Sequence, residues 1–260
     1  MTARALPPGI VPDWPAAPGV RAFVTTRAGG VSTGAFGLHG GEAGGLNLGD
    51  HVGDDAAAVR ENRARLAASL PGPVRWLQQV HGIAVHDADG PDAHVPPIAD
   101  AAVTTRTDTV LAIMTADCLP ILLADAQGRA VGAAHAGWRG LAAGVAEATV
   151  NALRDRVGAD ARLQAWLGPA IGPAAFEVGD EVRQAFCDLD AAAAAAFVPG
   201  LAAGKWWADL YSLARLRLAA RGVTDVRGGT FCTVTDAARF YSHRRDRPSG
   251  RLASLVWLAR

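Results

Sequence analysis

Two apolar runs separated by a short polar break constrain this chain more than any other feature. They lie within TVLAIMTADCLPILLADAQGRAVGAAHAGWRGLAAGV, residues 109–145. Residues 109–115 and 130–134 carry unbroken apolar character over strand length, which marks strands covered on both faces. Each run hands over to a reactive side chain, Cys118 after the first and His135 after the second. Gly137, Trp138, Arg139 and Gly140 follow, and then a helical pattern begins. Ligands and catalytic groups collect where strands pass into loops and helix starts, because the sheet holds those ends still.

Around this platform the rest of the chain falls into alternating strands and helices. Residues 1–19 hold five prolines and are expected as an extended N-terminal arm. Residues 20–26 alternate loosely, as a strand does. Residues 27–53 are dense in glycine and are expected as an irregular loop, either a flap beside a site or a plain connection. Asp54 is expected to cap a helix through Leu70, and residues 74–80 to form a strand that delivers His81. Residues 87–99 are a Pro/Gly/Asp-rich connector. A helix over 141–157 stops at Gly158, and a strand over 162–167 closes in GPAIGP. Asp180 and Asp209 open further helices, the first reaching Phe186 with the alanine tract 191–196 as its candidate extension. Residues 223–234 supply one or two strands, 240–247 a basic turn and 252–258 a last strand. Alternation of this kind implies an α+β fold of mixed α/β layers, a single-domain sandwich with mixed sheets flanked by helices. No composition break divides residues 20–260, so one domain is expected there.

Composition narrows the function classes. Half of the 260 residues are hydrophobic, enough for a sizeable core. Lys+Arg and Asp+Glu balance at 25 each, so charge argues for neither a nucleic-acid nor a membrane partner. The three cysteines, Cys118, Cys187 and Cys232, are far apart and in no CxxC pair, which fits a reducing compartment. No apolar run approaches the roughly 20 residues of a spanning helix. The N-terminus lacks a signal-peptide core. A cytoplasmic protein is expected.

Three side chains stand out by position, because His81, Cys118 and His135 each follow an expected strand directly. Two imidazoles and a thiolate make a zinc ligand set, and three protein ligands leave one position open, as in catalytic sites. The same atoms also suit a nucleophilic Cys118 with His135 as its base and Asp117 or a backbone N–H group assisting. A merely buried cysteine is a third reading, although Asp117 beside it demands partners. Arg139, at a helix start, is a candidate for a phosphate contact. Arg27, Arg244 and Arg245 are further anion candidates, and Asn47 is a candidate substrate contact. His243 is a possible acid or base in a polar turn. His39, His51, His86 and His94 sit in polar loops without an assignable role. Seven histidines and no HxH pair are too few for a multicopper centre.

The motifs TTRAGGVS (25–32), LNLGDHVGDD (46–55), QQVHG (78–82), TADCLPILLAD (115–125), VGAAHAGWRGL (131–141), IGPAAFEVGDEV (171–182) and SHRRD (242–246) occur in this order. In these residues the chain resembles the YfiH-like family. Its members have been described as laccase-domain or polyphenol oxidase proteins, as zinc-dependent purine nucleoside phosphorylases with adenosine deaminase activity, and as peptidoglycan editing factors. The resemblance implies that His81, Cys118 and His135 hold a catalytic zinc, with copper the less favoured metal. It also implies a layered α/β domain related in shape to a deamidase toxin domain that uses Cys and His. The implied substrates are adenosine, guanosine, inosine or methylthioadenosine, with inorganic phosphate as the second partner. Two departures are visible: Ala170 stands where many members have Cys, and His243 where an aromatic residue is frequent. Two other functions remain open at this point. One is hydrolysis of muramyl peptidoglycan precursors carrying misincorporated serine, and the other is a non-enzymatic zinc-binding regulatory role.

Overall fold

The molecule, a computed structural model describing residues 5–91 and 95–259, is built from two large sheets stacked face to face. His94 lies outside the described residues. The strands are β1 (Gly9–Ile10), β2 (Val20–Thr25), β3 (Ala28–Ser32), β4 (Val74–Arg75), β5 (Val85–Asp87), β6 (Ala101–Thr104), β7 (Val110–Thr115), β8 (Leu119–Asp125), β9 (Val131–Ala136), β10 (Leu163–Leu167), β11 (Glu177–Gly179), β12 (Phe197–Pro199), β13 (Lys205–Ala208), β14 (Asp225–Gly228) and β15 (Leu252–Leu258). The helices are α1 (Ala56–Ala67), α2 (Trp138–Ala143), α3 (Val145–Val157), α4 (Asp180–Cys187) and α5 (Leu210–Ala219).

The first sheet runs β1-β2-β15-β7-β4 and the second β14-β10-β8-β9-β6-β5, with a small sheet β11-β13-β12 beside them. Alternate residues of each strand point to opposite faces, and both faces are covered. Val24, Leu111, Ile113 and Val256 of the first sheet meet Leu122, Ala124, Val131, Ala133 and Trp166 of the second. The outer face of the second sheet packs Leu119, Ile121, Leu123, Ala134 and Leu167 against Val145, Val150 and Leu153 of α3 and Leu213 and Leu218 of α5. The outer face of the first sheet packs Phe23, Val110, Ala112 and Leu255 against Leu46, Leu48 and Leu66. The result is a sandwich of helix, sheet, sheet and helices. Burial on both faces is why β7, β8 and β9 are buried at every residue. Each of their Leu, Ile and Val side chains contributes roughly 1.5–3 kcal/mol by leaving water.

The structure departs from several of these expectations. β8 was not foreseen as a separate strand. Asp125 and Gly128 turn the chain between β8 and β9, which pair antiparallel from Leu119 with Ala136 to Ala124 with Val131. The helix expected over 141–157 begins at Trp138 and breaks at Gly144, which adopts a left-handed conformation between α2 and α3. The cap of α1 is Asp55, whose carboxylate accepts from the Ala57 amide at 3.0 Å. Asp54 instead accepts hydrogen bonds from Ser32 and Asn47. The alanine tract forms a separate 3₁₀ turn, because Asp190 starts a new cap and accepts from the Ala192 amide. Residues 74–80 pair as a strand only at Val74–Arg75. The proline-rich arm contributes β1, which pairs with β2. The glycine-rich segment 27–53 is anchored by buried Phe36, Leu46 and Leu48. Among the described residues no helix is long and apolar enough to cross a membrane.

Candidate metal centre

Residues 116–118 carry the chain from β7 in one sheet to β8 in the other, and this corner presents Cys118. Asp117 takes a positive φ of 88°, a conformation costly for a side chain with a Cβ. Its surroundings hold it there. One carboxylate oxygen accepts from the Thr233 hydroxyl at 2.5 Å and the other from the Arg244 amide at 2.6 Å. Its carbonyl accepts from the Ile171 amide at 2.9 Å. The partners that Asp117 required as a neighbour of a buried thiol are therefore structural.

His135 is the penultimate residue of β9 and is 3% exposed. Its Nδ1 lies 2.8 Å from an Asp100 carboxylate oxygen, and its backbone amide donates to the Asp100 carbonyl at 2.7 Å. A carboxylate on Nδ1 fixes the ring orientation and leaves Nε2 as the ligand atom. His81 sits on an irregular loop and is exposed, with φ at 62°. The same Asp100 carboxylate accepts the backbone amides of Val80, His81 and Gly82 at 3.1, 2.8 and 2.7 Å. These bonds hold Asp100 below the usual carboxylate range. Burial alone would raise it, and the His135 contact and the amides outweigh that.

The loop is fastened a second time by Gln79, whose amide donates to the Met114 carbonyl and accepts from the Met114 amide, both at 2.8 Å. The side chain thus imitates a neighbouring strand on β7.

These elements bring His81, Cys118 and His135 together, with ligand atoms all within 4.8 Å of one another. Cys118 Sγ lies 3.7 Å from His81 Nε2, and the two imidazole rings meet edge to face at 4.7 Å. Glycine is required beneath them. A Cβ at Gly137 would sit 2.8 Å from the His81 ring and 3.0 Å from Cys118 Sγ. Burial opposes the Cys118 thiolate, yet the two imidazoles draw its pKa down to about 6. Burial likewise opposes the His135 cation, yet Cys118 and Asp100 push its pKa up to about 9. A thiolate facing two imidazoles, ready to lose one proton, is a donor set that fits a divalent zinc ion.

Cys118 separates two compartments. The more polar one, of about 270 Å³, is lined by His51, Gln79, His81, Met114, His135 and Arg251. A more apolar one of about 170 Å³ is lined by Trp138, Ile171, Phe176 and Leu210, with Arg244 and Arg247 at its rim. Ala116, Cys118 and His243 line both.

The other residues singled out in the sequence are placed differently. Arg27 is buried, its guanidinium donating to the carbonyls of Gly37, Leu38 and Ala237. Arg245 staples Thr233, Val234 and Phe240 by their carbonyls and pairs with Asp246. Asn47 is buried and bonded to Gly49, Asp54 and the Arg251 amide. Arg139 is exposed and lies over the Trp138 ring at 4.4 Å, outside the lining of either compartment. Arg244 does reach the apolar compartment, donating to the Glu177 carbonyl beside Phe176. Asp100 and Arg251 were not singled out. An aspartate directly before the apolar run 101–103 was the available signal for the first, whereas Arg251 had none.

Comparison with known proteins agrees with this architecture. Residues 21–259 match the family described as "Multi-copper polyphenol oxidoreductase laccase". A purine nucleoside phosphorylase of Pseudomonas aeruginosa is 55% identical over 249 residues, covering 96% of this chain and 98% of that protein. The purine nucleoside phosphorylase YfiH of Escherichia coli K12 is 49% identical over 251 residues, with the same coverage. The crystal structure of a Neisseria meningitidis protein superposes with a TM-score of 0.87 at 46% identity, covering 97% of this chain and 99% of that one. YlmD of Geobacillus stearothermophilus superposes with a TM-score of 0.79 at 30% identity, covering 97% of this chain and all of that one. On sequence and fold together, the chain belongs to the YfiH-like, laccase-domain family.

Proposed function

We propose that this protein is a zinc-dependent purine nucleoside phosphorylase that also deaminates adenosine. The observation that carries the reading is a His–Cys–His group at the junction of a polar and an apolar compartment. Relatives named purine nucleoside phosphorylase share 49–55% of their residues with it. Zinc, when held by His81, Cys118 and His135, would supply a Lewis acid beside both compartments.

The chain's own groups organise the reaction. Trp138, Ile171, Phe176 and Leu210 offer the apolar surface that a purine ring requires. The polar compartment takes the ribose and the phosphate. A phosphate oxygen forms the new bond to C1′ as the bond from C1′ to the purine nitrogen breaks. The base leaves with the electron pair and accepts a proton. His243 lines both compartments and is the ring placed to exchange that proton. Burial and the nearby Arg251 and Arg247 hold its pKa below the ordinary value, so its protonated form is a willing donor.

Incubation of zinc-loaded protein with inosine or adenosine and phosphate, followed by chromatography, is expected to yield free base and ribose 1-phosphate. Adenosine alone is expected to yield inosine. Absence of every product, with stoichiometric zinc present, overturns the reading. Two imidazoles and a thiolate are also a copper donor set. Stoichiometric copper with an intense visible band, in protein purified without added metal, would favour an oxidase instead.

A further inference from the structure

We propose that Arg251 is the anion-holding residue of the polar compartment and that it takes inorganic phosphate. The role as a co-substrate site rests on the phosphorolytic reading above, whereas the binding itself does not. Arg251 directly precedes β15 and lines the same compartment as His81, Cys118 and His135. Its seat is built. The backbone amide donates to Asn47 Oδ1 at 2.8 Å, and Nη1 donates to the carbonyls of Ser249 and Gly250 at 2.8 and 3.1 Å. Gly49 passes so close that a Cβ there would meet Arg251 Cγ at 2.7 Å. Among the described residues no carboxylate lies within ion-pair range of this guanidinium. Arg63, lining the neighbouring cleft, has Asp50 at 3.1 Å, and Arg129 has Asp125 at 2.7 Å.

A half-buried cation with no carboxylate in contact with it is costly, and a mobile anion offsets that cost. A guanidinium presents paired N–H donors that match a phosphate. With Nη1 turned to the main chain, the remaining donors are the ones available to the compartment. His51 and His243 supply ring nitrogens on the same walls. Burial weakens the Arg251 cation, and the negative charges of Cys118 and Asp117 favour it from beyond contact distance. None of this depends on Arg139, which stands outside both compartments.

The test is a phosphate titration followed by thermal stabilisation and by ³¹P line broadening, on metal-free and zinc-loaded protein, without nucleoside. The wild-type chain is expected to bind phosphate, and Arg251→Met to lose about tenfold or more in affinity. Arg251→Lys should recover part of it, and Arg139→Ala should leave it unchanged. Far-ultraviolet circular dichroism and retained zinc stoichiometry check that the Arg251 variants fold, and the lysine variant preserves the charge if the methionine variant does not. In turnover, the KM for phosphate should rise while that for nucleoside holds. Unchanged phosphate affinity in Arg251→Met, or in Arg251→Gln should the methionine variant not fold, overturns the proposal. So does binding of a nucleoside 5′-monophosphate through Arg251 when inorganic phosphate does not bind, because the anion would then belong to the substrate. Phosphate bound through Arg251 with no nucleoside cleaved leaves this inference standing and sinks the functional reading instead.

Discussion

The two imidazole ligands reach the same point from opposite kinds of structure. His135 stands on a central strand, 3% exposed, with its position set by ladder bonds to β8 and β6. His81 stands on an exposed loop between two short strands, in a conformation that its backbone does not favour. The strand ligand inherits its precision from the sheet. The loop ligand borrows it from Asp100, which accepts three loop amides with the carboxylate that also fixes the His135 ring. One carboxylate thus serves as a common datum for both arms of the site.

If that contrast is real, the two ligands must fail differently. Replacing His135 by Ala removes a buried partner of a buried carboxylate, and metal-free protein should lose about 3 kcal/mol in denaturant titrations. Replacing His81 by Ala removes an exposed side chain and should change stability by less than about 0.5 kcal/mol, while both variants lose stoichiometric zinc. Equal destabilisation by the two would erase the distinction.

A smaller perturbation addresses the shared datum. Asp100→Asn keeps the shape but offers one acceptor oxygen where two accept four donors. Zinc affinity should fall by about 10- to 100-fold. A cobalt-substituted sample should show an altered visible spectrum, because the ligand geometry changes along with the affinity. An unchanged spectrum and affinity would mean that the loop positions His81 without Asp100.

The smallest expected effect on stability is in pH. The His135 pKa rises from 6.5 to about 9 on folding, so by itself it stabilises the fold at low pH and loses that contribution as pH climbs to about 9. The Cys118 pKa falls from 9.0 to about 6, so its contribution grows over the same interval. Between 6.5 and about 9 the folded and unfolded pairs each carry one proton, the two trends cancel, and metal-free stability should be flat. Zinc does see the proton, because binding must expel it from the imidazole. Affinity should therefore rise about tenfold per pH unit over this window and level off above it, with about one proton released per zinc. Chelator competition at several pH values measures the slope, and a slope of zero below pH 9 would mean that the pair holds no proton there.

The sequence made some of this legible and hid the rest for identifiable reasons. β7 and β9 were visible because strands covered on both faces are apolar at every position. Cys118 and His135 were visible because they sit directly beyond or at the end of those runs. β8 was missed because Pro120 near its start and the adjacent Cys118 corner resemble a break, and the β7–β8 step changes sheets. The small sheet of β11, β12 and β13 was missed because its strands are only three or four residues long. Arg27 and Arg245 resemble Arg251 in composition. What separates them is where their guanidiniums end, which depends on carbonyls brought from elsewhere in the chain. Asp100 acts on residues 18–35 positions away, and no local spacing announces such a partner.

Gln79 carries a last consequence. An unpaired strand margin invites a foreign strand to dock, and next to this cleft such docking would wall off the entrance. The carboxamide of Gln79 occupies both hydrogen-bonding groups of Met114 where the fourth strand has already turned away. A single side chain therefore finishes the sheet without lengthening it, and the doorway to Cys118 stays unobstructed.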